Sequence, residues 1–339
     1  MKRIYVVTGA AGHLGSTIAR KLAAQGARVR ALLLPGESAA PLAGCPSVEI
    51  VRGDVCDPDT LGPLFAQDLG ERLAVIHTAA LVSIESGVSP RLRAVNVGGV
   101  EHIIGLCLSR PRTRLIHVGS VHALPEQPGR GPIGECEQFH ADWVKGAYAK
   151  TKAEAAQKVL DAVRWQGLDA AILLPSGILG PGDHGRNNLN RTIRGCVTGK
   201  LRTLVKGGYD LVDVRDVADA CIAAVERAER GECYILSGRH YDWRELAPIL
   251  EAASGVRVRR FLSPAALRPV APLMELWARL RRRQPLFTGY SLYCMRSNDH
   301  FTSRKARTQL GFQTRPIQET LADTTAWELA RAACPLPTA

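Results

Sequence analysis

Short apolar runs alternate with longer segments of helical spacing along the first half of the chain. Residues 3–8 (RIYVVT) are the first such run and predict a buried strand. Gly9-Ala10-Ala11-Gly12-His13-Leu14-Gly15 follows at once, and residues 16–25 then carry helical spacing that stops at Gly26. Further strands are predicted at 28–34 (RVRALLL), 48–51, 73–78 (LAVIHT) and 114–118 (RLIHV). Between them, Asp57–Asp59 begins one helix and Asn96-Val97-Gly98-Gly99 opens another. Residues 148–165 (YAKTKAEAAQKVLDAVRW) are rich in Ala, Lys, Glu and Leu and lack Gly and Pro, which favours helix. Strands and helices in alternation predict an α/β fold built on a doubly wound parallel sheet.

After about residue 180 this rhythm changes. Residues 183–208 are polar and glycine-bearing, 125–145 read as a loop, and helices are predicted over 241–254 and 264–283. The expected organisation is a first domain over 1–180 and mainly a smaller C-terminal lobe over 181–330. About 210–238 is expected to return to the first domain, leaving 331–339 as a tail. Within the lobe, 273–280 (LMELWARL) has apolar residues at helical spacing and runs into Arg281-Arg282-Arg283.

Composition narrows the class. The 339 residues carry 44 basic and 32 acidic side chains, a net charge of +12. The basic residues are mostly dispersed, with few aromatics beside the clusters at 257–260 and 279–283, so neither nucleic acid nor a membrane is expected as partner. Nine scattered cysteines without a CxxC pair read as reduced thiols, and the apolar start at 4–7 is too short for a secretory or membrane segment. A cytoplasmic protein is the expectation, with no metal site.

Candidate chemistry sits at the predicted strand ends. Strand, glycine turn and helix in that order are the context of a dinucleotide-binding (Rossmann) site, with the pyrophosphate at the helix N-terminus. Gly9, Ala11, Gly12, His13, Leu14 and Gly15 make up that turn. Asp54 and Val55 follow the third strand, where an aspartate can bond the adenine amino group or cap the next helix. Thr78, Ala79 and Ala80 end the fourth strand with small residues against which a cofactor can lie. The second strand ends in Leu33-Leu34-Pro35-Gly36, neither the acid that holds an NAD ribose nor the arginine that holds an NADP phosphate, so NAD and NADP both stay open. Ser120 ends the fifth strand, within reach of the same crevice. Tyr148 and Lys152 lie one helical turn apart on one face. The cation is expected to lower the phenol's pKa towards the working pH, making Tyr148 a general acid/base.

Taken together, these residues resemble the extended short-chain dehydrogenase/reductase superfamily. TGAAGHLG (8–15) is similar to its cofactor motif, GDVCD (53–57) to its adenine-side motif, and Ser120, Tyr148 and Lys152 to its catalytic set. Residues 174–183 (LPSGILGPGD) and 212–218 (VDVRDVA) also fit, and within the superfamily the chain looks nearest to the dihydroflavonol-reductase and 3β-hydroxysteroid-dehydrogenase-like branch. The resemblance implies that Pro175, Ser176, Gly177 and Ile178 border the nicotinamide and that Lys152 also holds its ribose. It implies a water relay at Asn96, where helix capping is the alternative, and a lobe closing over the substrate. His122, Trp143, Asn188 and Tyr290 are the candidate substrate residues, and a homodimer is a family expectation. Val121-His122 stands where dehydratases place an Asp-Glu pair, so that elimination chemistry lacks its acid and base.

The expected activity is NAD(P)-dependent interconversion of a small-molecule ketone or aldehyde with its alcohol. The alternatives are a nucleotide-sugar epimerase using the same three residues, or a nucleotide sensor without turnover.

Overall fold

The computed structural model describes residues 2–83, 87–125, 131–184, 187–267, 289–295 and 299–333. The apolar runs form strands where expected: β1 (Arg3–Thr8), β2 (Arg28–Leu33), β3 (Val48–Arg52), β4 (Arg72–His77) and β5 (Thr113–Val118), and β6 (Ala170–Pro175) follows them. With β10 (Cys233–Leu236) they make one parallel sheet of seven strands in the order β10-β6-β5-β4-β1-β2-β3. Both faces are covered, which is why these strands read as nearly continuous apolar runs. On one face, Leu73, Val75 and Leu115 pack with Ile103, Ala153 and Val159 from helices Gly99–Leu108 and Ala147–Gln166. On the other, Val7, Ile76 and Ile116 pack with Ile18, Leu22, Val217 and Cys221 from helices His13–Ala24 and Val214–Arg227. The winding reverses between β1 and β4. A crevice opens there at the carboxyl ends of the strands, the usual place for a ligand in such sheets.

The later residues form smaller pieces at that end of the sheet. Strands β7 (Gly177–Leu179), β9 (Gly208–Asp213) and β11 (Arg239–Asp242) make a three-stranded sheet, and β8 (Thr203–Val205) pairs with β12 (Arg260–Leu262). Helices Asn188–Val197, Trp243–Ser254 and Ile317–Ala333 pack in a third core around Ile193, Leu246 and Leu321. Arg315 ties this part back to the large sheet, bonding Asp216 in the helix that follows β9.

Some boundaries differ from the expectation. The first helix starts at His13 rather than residue 16, inside the glycine turn. The segment read as a helix from residue 241 spends Arg239–Asp242 on strand β11, and Asp242 caps the helix, with Glu245 bonding back to the cap. The 273–280 stretch, the 279–283 cluster, most of the 264–283 helix, Arg186 and residues 334–339 lie outside the described residues. Among the described residues no helix is long and apolar enough to cross a membrane.

Candidate active site

A cavity of about 710 Å³ runs along the crevice, from the end of β2 to the residues around Tyr290. The glycine turn floors one end of it. Helix His13–Ala24 begins here with Gly12 as its N-cap and no side chain bonding its first N–H groups, which leaves an anion site open to the cavity. The turn is closed tightly: a Cβ on Gly15 would stand 2.3 Å from the carbonyl oxygen of Gly9. Gly9, Gly12, His13, Leu14 and Gly15 line the cavity. Ala11 does not. It is buried in the sheet's core, because the turn directs its methyl inward. His13 reaches across to the lobe, its Nε2 lying 3.0 Å from the Pro181 carbonyl oxygen.

Asp54 and Val55 also line the cavity. The capping role falls to Asp57, whose carboxylate accepts from Asp59 N, while Asp54 accepts from Cys56 N at 2.9 Å and faces the crevice. Thr78, Ala79 and Ala80 line the cavity too, with Thr78 and Ala79 close against the glycine turn. Thr78 is held by a 2.7 Å bond to the Thr8 carbonyl. Pro175, Ser176, Gly177 and Ile178 cross the next part, where β6 passes into β7.

Asn96 is absent from the wall, and it neither opens nor caps a helix. It lies within a π-helical turn, Ala94–Gly98, continuous with helical residues on both sides. Its side chain accepts from Leu81 N at 2.8 Å and donates to Leu81 O and Thr151 Oγ1 at 3.0 Å each. That satisfies the amide and pins the loop after β4 to the tyrosine helix.

Ser120, Tyr148 and Lys152 meet in the middle of the cavity. Ser120 ends β5 and caps a short turn, accepting from His122 N at 3.2 Å. Tyr148 enters from the first turn of helix Ala147–Gln166 and hydrogen-bonds Ser120. Lys152 is buried one turn on and donates from Nζ to the Val118 carbonyl at 2.8 Å. The expected lowering of the phenol's pKa is reversed. Burial pushes Tyr148 up to about 12 and the Ser120 bond offsets only part of that, since a buried phenolate loses its hydration. Burial likewise lowers Lys152 from 10.5 to about 8. His77 and His117 stack beneath it, ring centroids 5.6 Å apart, and burial holds both in the neutral form. His77 is a structural residue, with Nδ1 2.8 Å from Thr8 Oγ1.

Beyond the phenol the walls turn apolar and aromatic. His122 is edge-on to Tyr148 at 6.1 Å between ring centroids and lies 6.5 Å from Tyr290. Asn188 also lines the cavity, whereas Trp143, half exposed, forms its rim against His140. Leu124, Ile133, Tyr209, Asp210, Asp299 and Phe301 complete the walls and were missed in the sequence, because they come from strands and loops distant in the chain. Burial raises Asp210 to about 7, while the bond that its Oδ1 accepts from Gly238 N at 3.0 Å acts the other way.

Gly146 sets how Tyr290 meets the helix that carries Tyr148. It holds φ +94°, and a Cβ there would stand 2.2 Å from the Tyr290 ring. Gly146→Ala is expected to lower unfolding stability by about 2 kcal/mol or more, read as the denaturant midpoint, and to reduce turnover with it. An unchanged midpoint would mean that the ring is free to move aside.

Residues 5–241 match the model of the NAD dependent epimerase/dehydratase family, well over half of the chain. The chain belongs to that family. Sterol demethylase protein B of Methylococcus capsulatus is 33% identical over 326 residues, covering 95% of this chain and 97% of that protein. A putative dihydroflavonol 4-reductase of Synechocystis is 27% identical over 336 residues, covering 96% and 95%. The crystal structure of gox2253 is 31% identical, with a TM-score of 0.82 over 97% of this chain and 98% of that one. The extended short-chain resemblance read from the motifs is thus borne out, as is the α/β fold, and the family is one of NAD-dependent dehydrogenase/reductase type. The uncapped helix end and the small residues beside it suit the family's dinucleotide.

Proposed function

We propose that the protein is an NAD(P)-dependent oxidoreductase that interconverts an apolar ketone or aldehyde with its alcohol. The observation that carries this reading is the convergence of Ser120, Tyr148 and Lys152 on one cavity, between the glycine turn and an apolar wall. A bound nicotinamide supplies or accepts the hydride. Tyr148 gives the proton to the substrate oxygen in reduction and takes it back in oxidation. Ser120, already bonded to the phenol, donates to the same oxygen and orients it. Lys152 places a cation beside the phenol, favouring the charge that develops as the proton leaves. The aromatic walls keep water from the reacting centre.

The walls also bear on the substrate. A nucleotide-sugar brings a second pyrophosphate that needs cations. Among the described residues that line the cavity beyond Tyr148, Lys145 lies over the Tyr293 ring, and the same lining carries the carboxylates of Asp210 and Asp299. An apolar carbonyl suits these walls better, and the names of the sterol and dihydroflavonol relatives agree with that choice. The test follows loss of reduced-nicotinamide absorbance with NADH and NADPH against a panel of hydrophobic ketones and aldehydes. Turnover is expected. No net oxidation, with a nucleotide retained through purification, would favour the epimerase instead.

A further inference from the structure

The end of β2 is where a dinucleotide fold reads the adenosine ribose, and by residue count this chain has only Leu33 and Leu34 there. The fold puts an acid in that place by a different route. Leu34-Pro35-Gly36-Glu37 is a tight turn in which Glu37 N donates to the Leu34 carbonyl at 3.0 Å and Gly36 takes φ +75°. Proline followed by a positive-φ glycine is the signature of a type II turn, which brings its fourth residue beside its first. The Glu37 side chain then folds back, its Oε2 accepting from Leu34 N at 2.9 Å. Arg52, from the end of β3, clamps the turn by donating to the carbonyls of both Leu34 and Glu37. The result is a carboxylate on the cavity wall together with Leu32, Leu34, Gly53 and Asp54.

We propose that Glu37 is the residue that selects the cofactor, accepting a hydrogen bond from the adenosine ribose of NAD(H) and repelling the 2′-phosphate of NADP(H). The proposal rests on the cavity being a dinucleotide site. A carboxylate offers only acceptors, which suits a ribose diol, whereas a dianionic phosphate at the same point meets like charge at short range. Arg52 does not reverse this: its guanidinium is engaged by two carbonyls, and it does not line the cavity.

Calorimetric titration of the full chain with NADH and with NADPH tests this without any substrate. The wild type should bind NADH at least about tenfold more tightly than NADPH. Glu37→Gln keeps an acceptor for Leu34 N, so the turn stays closed and only the charge is lost. In that variant the gap should narrow to about threefold or less, mainly through tighter NADPH binding. Equal or tighter NADPH binding by the wild type would overturn the proposal, as would a gap unchanged in Glu37→Gln. Failure of both nucleotides to bind would instead remove the dinucleotide reading, and the proposal with it.

Discussion

Tyr148→Phe is expected to lower turnover by about 10²–10⁴-fold, the usual worth of a positioned general acid/base, while leaving cofactor affinity nearly unchanged. The ring remains, so its edge contact with His122 and its place at the start of the helix are kept. What is lost is the proton and the bond to Ser120. With its pKa up near 12, the phenol keeps its proton across the neutral range, the state needed to protonate a carbonyl oxygen. Steady-state rates beside calorimetric titration with the same nucleotide separate the two effects. A variant that keeps near wild-type turnover would take the proton-transfer role away from Tyr148.

Lys152→Met should have opposite effects on activity and stability. Turnover is expected to fall by about 10²-fold or more and cofactor affinity to weaken, because the cation beside the phenol is gone. Stability at pH 7 should rise. The folded state holds the lysine at about 8, below its ordinary 10.5, so the unfolded chain binds the proton more tightly. A buried cation therefore costs stability below pH 8, and this cost fades as pH rises from 8 to 10.5. The removed penalty is about 1–3 kcal/mol after allowing for the bond lost at the Val118 carbonyl. Denaturant melts of both proteins at pH 7 and pH 10 check the sign. A variant less stable than wild type at pH 7, or a gain that does not shrink by pH 10, would show that Lys152 is an ordinary stabilising contact. Unchanged cofactor affinity would remove its ribose role.

Elements written in consecutive residues were legible in the sequence. The sheet strands are apolar runs because both faces of the sheet are covered, and the glycine turn announces itself by its place between β1 and the first helix. The Tyr148–Lys152 pairing followed from helical geometry alone, and so did the convergence of strand ends on one crevice. These are local or topological rules that operate without knowledge of what packs nearby.

Three features needed the folded chain. The pKa of Tyr148 depends on how completely it is desolvated, and burial outweighed the one opposing effect, the Ser120 hydroxyl, while Lys152 turned its Nζ to the Val118 carbonyl. Asn96 looked like the start of a helix, but its role comes from Leu81 and Thr151, brought to it from other parts of the chain. Glu37 was passed over by counting residues from the strand end, since only the turn and the Arg52 clamp return it to that end. The sequence by itself determined the α/β scaffold, the glycine turn and the Tyr–Lys pair, because hydrophobic period and helical spacing are carried by neighbouring residues. Only the tertiary structure decided the charge state of those groups, the far wall of the cavity and the carboxylate at the end of β2, because desolvation and contact depend on residues far apart in the chain.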